Sequence, residues 1–484
     1  MASKMKTLTI NDVTYDITDD SAVSFVEEQH LTEAQKAVAR ANIGAQPVGE
    51  YLTEVPEGYA KNEDIKKVDR KVDTLREVVS KFHSNIVCDA EGEVIQLSDA
   101  SDLELAGLRI FGKTIQNGTP TPEAPVPLES VGADGNVAVT VCGKNLLNLP
   151  DGTQTDNGVT AIIKDGVIAL NGTANKVTFF NFRNSAFVLE GQTYYYGSDN
   201  VTGLNQFLGA DEASYNTEPT FTAVINYSKR MSKTSTLTYQ LYIRSGATFN
   251  NTVVKPYLVL GSSAIGWEAH KAQTLTAQTP NGLPGIPVSS GGNYTDENGQ
   301  QWICDEIDFA RGKYVQRVVK IGVDFFKDVV PTTDSNWYNE ESSCSYELKA
   351  PQKPLLDNAF TSLCNVLTSY KFAYFYNQGI VEGVMNEQSY LVVNLDKSRG
   401  IDTVDKFKAW CNEAGFEVIK FLATPIETDL TAEEIAQYSA LHTNYPNTTV
   451  YNDAGAGMGV KYVADTKLYI DKKFAELSAA LLNQ

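Results

Sequence analysis

Ile65, Val68, Val72, Leu75, Val79 and Phe82 follow one another at spacings of three and four residues without a miss. That is a heptad seam, with Ile65, Val72 and Val79 at one core position and Val68, Leu75 and Phe82 at the other. The residues between them, such as Lys66, Lys67, Asp69, Arg70 and Lys71, are charged. Asn62 suits the helix start, and Glu63 and Asp64 suit its positive end. A stripe this narrow on a lone helix buries little, so the spacing predicts a short parallel coiled coil between identical chains. An amphipathic helix packed on its own domain satisfies the same pattern. Val opposite Leu favours dimers, whereas Ile and Phe blur that preference, so the heptads specify an oligomer and not a strand number. So short a coil is marginal alone. The rest of the chain must help to hold the copies together.

That remainder is rich in β-forming residues, with 24 Tyr and 20 Phe in 484 residues, enough chain for about three domains. A net charge of −20 repels nucleic acid and anionic membranes, so neither is an expected partner. No apolar run is long enough to span a bilayer, and no secretory signal opens the chain. Cys88, Cys142, Cys304, Cys344, Cys364 and Cys411 are scattered, which predicts free thiols in a reducing cytoplasm rather than a zinc site or a disulfide framework. The four histidines, His30, His83, His270 and His442, sit in no catalytic or metal motif. No catalytic residue, metal or cofactor is expected.

Residues 6–17 alternate apolar and polar around an Asn-Asp turn, the pattern of a hairpin. In the stretch HLTEAQKAVARANIGA, Thr32 and Gln35 form a capping box and Gly44 ends a short helix. This stretch resembles a short repeat of bacteriophage tail-fibre proteins, which implies that the N-terminus joins phage tail or baseplate proteins. After the coil come GKTIQNGTPTPEAPVP and then GKNLL. Four prolines, Pro120, Pro122, Pro125 and Pro127, forbid a helix there. The pair of motifs closely resembles tail and minor structural proteins of phages and prophages of Gram-positive bacteria. Short strands punctuated by Asp165-Gly166, Asn171-Gly172 and Gly191 then predict a β-sandwich. Its closing run, up to GWEAH, resembles carbohydrate-binding-module-like jelly rolls of tail proteins. Residues 273–320 and 421–471 return to the tail-protein style. The sandwich therefore reads as an insertion into a second β domain.

The expected fold is mainly β: an elongated, fibre-like chain with an N-terminal helix and short coiled coil. Its segments are 1–60 for virion attachment, 61–84 for the coil, 85–145 with 272–330 for a β domain, and 146–271 for the jelly-roll-like insertion. An α+β domain follows at 331–430, with a helix near Leu355 to Leu367 and another at 402–415. Residues 431–484 read as a helical, coiled-coil segment, opened by a capping box of Thr431 and Glu434. There Ile470, Phe474, Leu477 and Leu481 repeat the four-three spacing of a second, distal coil. A trimer is what the resemblance implies.

Chemistry-bearing signals are few. Asp296 to Gln300, DENGQ, has part of a calcium loop but lacks its liganding Glu, and reads as a turn. Asp305 and Glu306 are adjacent carboxylates of the type that hydrolyse glycosidic bonds. Alternation places them on opposite strand faces, so they read as solvated charges. Of Tyr194, Tyr195 and Tyr196, at least two should be core. Trp337 and Tyr338, next to Asn336, lie in a polar, breaker-rich stretch and offer an aromatic face with an amide for a sugar ring. A loop folded back on a sheet, or an interchain contact, also accounts for them. The expectation is a tail fibre or receptor-binding protein in the virion tail, made in the host cytoplasm, that binds a host cell-surface glycan, neutral rather than anionic. A purely structural baseplate component and a tail-associated glycan-cleaving enzyme are the alternatives.

Overall fold

The computed structural model describes residues 86–209, 225–326, 328–332, 342–349, 362–370, 379–387 and 390–482. It also describes 7–10, 13–16, 220–221 and isolated positions between 32 and 71. Residues 1–84 and 85–484 form separate compact units. In the first, Thr7–Ile10 pairs antiparallel with Val13–Asp16, the hairpin expected around Asn11-Asp12. The six seam residues, Ile65, Val68, Val72, Leu75, Val79 and Phe82, lie outside the described residues.

The second unit is mainly β. Two sheets face each other across one core and form a frame. One runs Ala272–Gln278, Asn136–Cys142, Thr448–Asn452, Val94–Leu97. The other is seven-stranded: Leu363–Cys364, Glu417–Asp429, Lys313–Gly322, Glu306–Asp308, Gly107–Phe111, Gly457–Ala464, Ile86–Gly92. Alternation builds them. Val137, Val139 and Val141 of one sheet meet Leu108, Ile110, Met458 and Val460 of the other, while intervening residues turn outward. On the outer side of the seven-stranded sheet, Phe111 stacks on Tyr294 at 4.7 Å. The Tyr294 ring lies over Gly457, where a Cβ would come within 2.4 Å of it, so only glycine fits.

The sandwich grows from this frame. The chain leaves after Cys142 and returns at Ala272, and these two residues are ladder partners. Between them, strands from Gly152–Asp156 to Tyr257–Leu260 form three antiparallel sheets around their own core, including Val159, Leu170, Phe180, Phe182, Tyr239 and Leu241. Asn145 of GKNLL fastens the root. Its Oδ1 accepts from the Leu147 and Leu258 amides at 3.0 and 3.1 Å, its Nδ2 donates to the Glu268 carbonyl at 2.8 Å, and its own carbonyl lies 2.7 Å from His270 Nδ1. One side chain thus ties the outgoing and returning linkers together. Gly143 is needed beside it, because a Cβ would come within 2.9 Å of Glu268 Oε1.

A third lobe holds the five-stranded sheet Asp328–Pro331, Ser343–Lys349, Tyr390–Asp396, Gly383–Glu387, Ser369–Tyr370. Helix Val404–Glu413, capped by Thr403, packs on its core and stacks Phe407 on Tyr346 at 4.2 Å. The proline-rich motif fastens the edge of the seven-stranded sheet, where the chain runs on into this lobe: Gln116 Nε2 donates to the Cys364 carbonyl at 2.8 Å, and the Val126 amide to the Asn365 carbonyl at 2.8 Å.

Two expectations need correction. Within 362–370 there are strands, not the end of a helix, because Leu363 and Cys364 extend the ladder of Ile419 and Val418. Residues 431–484 are not simply helical. After helix Ala432–Ser439, with its Thr431–Glu434 capping box, Thr448–Asn452 and Gly457–Ala464 enter the interiors of both frame sheets. Their buried Val450, Met458 and Val460 supply core that neither sheet has without them. Helix Thr466–Leu482 starts beside Ile86, which pairs with Ala464, so it leaves the unit at the corner where the chain enters.

Replacing Asn145 by Ala leaves two buried amides and a carbonyl without partners. A loss of about 3 kcal/mol in chemical denaturation is expected, with new protease cleavage in the two linkers.

Candidate functional site

Asn336, Trp337 and Tyr338 lie outside the described residues. Asp305 and Glu306 are described, and they correct the expectation of solvated charges: Asp305 is 1% and Glu306 5% exposed. Between Gln316 and Val318 the register with Glu417–Asp429 shifts, and the Arg317 and Val318 amides both donate to Asp305 Oδ1, at 2.7 and 2.8 Å. Tyr314 donates to Oδ2 at 2.8 Å. Glu306 points the other way, accepting from Asn293 Nδ2 at 3.0 Å and pairing with Arg317 at 3.2 Å. Both carboxylates serve the fold, and they do not flank a common space. Asp296 forms a turn, its Oδ1 accepting from the Asn298 and Gln300 amides and its Oδ2 from the Trp302 indole.

His270 and His442, distant in sequence, line one cleft of about 690 Å³ at the sandwich root with Asp102, Asn148 and Asn444. Burial holds His270 below the usual histidine range, with its bond to Asn145 opposing the shift, so the ring is neutral at pH 7. Among the described residues, no group of three or more His, Cys, Asp or Glu is placed to hold a metal ion. All six cysteines are free, and burial pushes the thiols of Cys142, Cys304 and Cys364 up to about 12.

One surface of the sandwich has a different composition. In the sheet Thr178–Val188, Ser235–Ile243, Leu204–Gly209, the inward positions are Phe180, Phe182, Leu237, Tyr239, Leu241, Leu204 and Leu208. The outward positions form a grid of two rows across three strands. Phe179, Tyr242 and Asn205 are register partners in one row, and Asn181, Gln240 and Phe207 in the next. Phe179 is 48% exposed and meets the Tyr242 ring edge-on at 5.2 Å. Gln240 is only 6% exposed, and its Nε2 donates to Asn181 Oδ1 at 2.6 Å, which fixes both amides and leaves the NH2 of half-buried Asn181 as the outward donor. By strand spacing the grid measures about 10 Å by about 7 Å.

The grid rests on a rigid layer. Inside the sandwich, Gln206 Oε1 accepts from Tyr239, Ser198 and Tyr196 hydroxyls at 2.7, 2.6 and 3.2 Å, and Gln206 Nε2 donates to the Asp199 carbonyl at 2.7 Å. Burial pushes the Tyr196 and Tyr239 phenols upward, so both stay protonated donors. Tyr194 and Tyr196 are core as expected, while Tyr195 is half-buried and stacks on Tyr257 at 6.3 Å. The outer grid is not singled out by sequence reasoning, although it leaves a trace: the run Thr178 to Phe182 carries Phe on both strand faces, where a solvated face needs none.

Comparison with known protein families, curated proteins and solved structures finds no match.

Burial pushes the Asp305 carboxyl up to about 7 despite three hydrogen bonds that pull it down. Its pKa is therefore higher folded than unfolded, and the folded state holds a proton that the unfolded chain releases near pH 4. The contribution of this group is fully present below that pH and is lost as pH rises through 7. The wild type should lose stability relative to Asp305→Asn between pH 4 and 8 in urea titrations. Asp305→Ala, which orphans the Arg317 and Val318 amides, should cost about 3 kcal/mol.

Proposed function

We propose that this chain is a homotrimeric phage tail fibre or receptor-binding protein that attaches the virion to a host cell-surface glycan. In this reading the N-terminal unit joins the tail or baseplate, the seam Ile65 to Phe82 holds the three copies together, and the jelly-roll-like sandwich is the displayed module. The protein acts by binding rather than by cleavage. Support for the phage origin is the resemblance of the QNGTPTP, GKNLL and LTEAQKAVARANIGA segments to tail proteins.

The observation that carries the binding role is the sandwich itself, a separate core stapled at one root and bearing the exposed Phe179 ring and the half-buried Tyr242 ring beside ordered amides. A module used only as a spacer needs no such face. A glycan-cleaving reading loses its one motivation, because Asp305 and Glu306 are engaged by the frame. The Trp337–Tyr338 loop with Asn336 stays a second proposed contact, on sequence grounds alone. Three copies of a weak site in fixed geometry raise avidity without new contacts.

Two measurements test this. The purified protein should have the mass of a trimer, and Val72→Asp with Leu75→Asp should dissociate it by placing charges in the seam. A monomeric wild type would remove the fibre assignment. The protein should adsorb to host cells and lose adsorption after enzymatic removal of surface polysaccharide; adsorption that persists on stripped cells would point to a protein receptor.

A further inference from the structure

Charge is divided unevenly along the chain. Residues 146–271 contain nine Lys and Arg and nine Asp and Glu, whereas the whole chain carries −20. The inserted sandwich is therefore electrically neutral, and the entire excess of negative charge belongs to the rest of the protein. The grid on its outer sheet follows the same rule: Phe179, Tyr242, Phe207, Asn181, Asn205 and Gln240 include no Asp, Glu, His, Lys or Arg.

We propose that this grid is the ligand site, that its ligand is a neutral polysaccharide, and that the acidic remainder of the chain is what rejects polyanionic ones. The inference rests on the glycan-binding reading above and names the ligand class for it. One face of a pyranose ring is a patch of C–H groups, which fits the Phe179 and Tyr242 rings. Its rim of hydroxyls both donates and accepts, which fits carboxamides, because each offers both functions with no charge to desolvate. The Asn181–Gln240 bond holds these amides in place before the ligand arrives, so little side-chain entropy is lost on binding. A site built for phosphate or carboxylate would instead carry Arg or Lys in a fork. Discrimination against polyanions then comes from long-range repulsion by the frame, which salt screens, and not from the contacts themselves.

The test uses the full-length protein and four neutral polymers, a glucan, a galactan, a mannan and a rhamnan, beside poly(glycerol phosphate), at 20 mM and 500 mM salt. Binding to at least one neutral polymer is expected, changing less than twofold with salt. Phe179→Ala with Tyr242→Ala should weaken it at least tenfold at an unchanged melting temperature, and Asn181→Asp, which keeps the acceptor for Gln240 and removes the outward NH2, should weaken it several-fold. Tight binding of poly(glycerol phosphate) at 20 mM salt, lost at 500 mM, overturns the ligand class. Host-cell adsorption that survives in both variants overturns the site while leaving the receptor-binding reading intact. A wild type that adsorbs to host cells but binds none of the neutral polymers overturns the inference, and a wild type that adsorbs to no host cells removes the receptor-binding reading beneath it.

Discussion

The second unit depends on how one buried carboxylate is satisfied. Asp305 stands where three pieces of chain converge. Its amide donates to the Pro284 carbonyl at 3.0 Å, its carbonyl accepts from Gly112 at 2.9 Å, and its side chain takes two successive amides of the long strand Lys313–Gly322. Those amides are adjacent in sequence and point to the same side, which a regular ladder does not allow. Without an acceptor at that place the irregularity would bury two unsatisfied donors. Gly112 is held to its small size by the same junction, since a Cβ would come within 2.4 Å of the Leu283 carbonyl oxygen.

A similar logic explains the GKNLL and proline-rich motifs. GKNLL is not a binding motif here. Its Asn145 ties the two linkers of the sandwich, its Gly143 allows the close approach of Glu268, and its Leu146 and Leu147 enter the sandwich core. Gln116 and Val126, at either end of the proline-rich stretch, hold the frame's edge strand Leu363–Cys364 and the residue after it. Asn145 has few substitutes because its side chain satisfies buried backbone amides. Sequence signals of this kind therefore mark joints between lobes, and the surface between the joints is free to vary in chemistry.

The sandwich uses that freedom. Its inner face is sealed by Phe180, Phe182, Tyr239 and a Gln206 network, so the outward Phe179 is not needed for that core and stands 48% exposed. Entry and exit at ladder partners Cys142 and Ala272 let the module be added without disturbing the frame's register.

Much of the fold was legible by inspection of the chain. Period-two alternation marks Asn136–Cys142 and Val159–Lys164 as half-buried strands, Thr431 with Glu434 announces a helix start, and GKNLL followed much later by a return to the earlier style marks an insertion. These signals are local, and local physics enforces them. Tertiary structure alone decided the rest. Whether Asp305 is solvated or buried depends on an irregularity at Arg317 and Val318, whose amides both turn to its carboxylate. Whether Thr448–Asn452 and Gly457–Ala464 belong to a helical tail or to the frame depends on partners more than 300 residues earlier, at Val94–Leu97 and Gly107–Phe111. The grid of Phe179, Asn181, Gln240 and Tyr242 exists only through register, since nothing in the sequence says which residues of separate strands stand side by side.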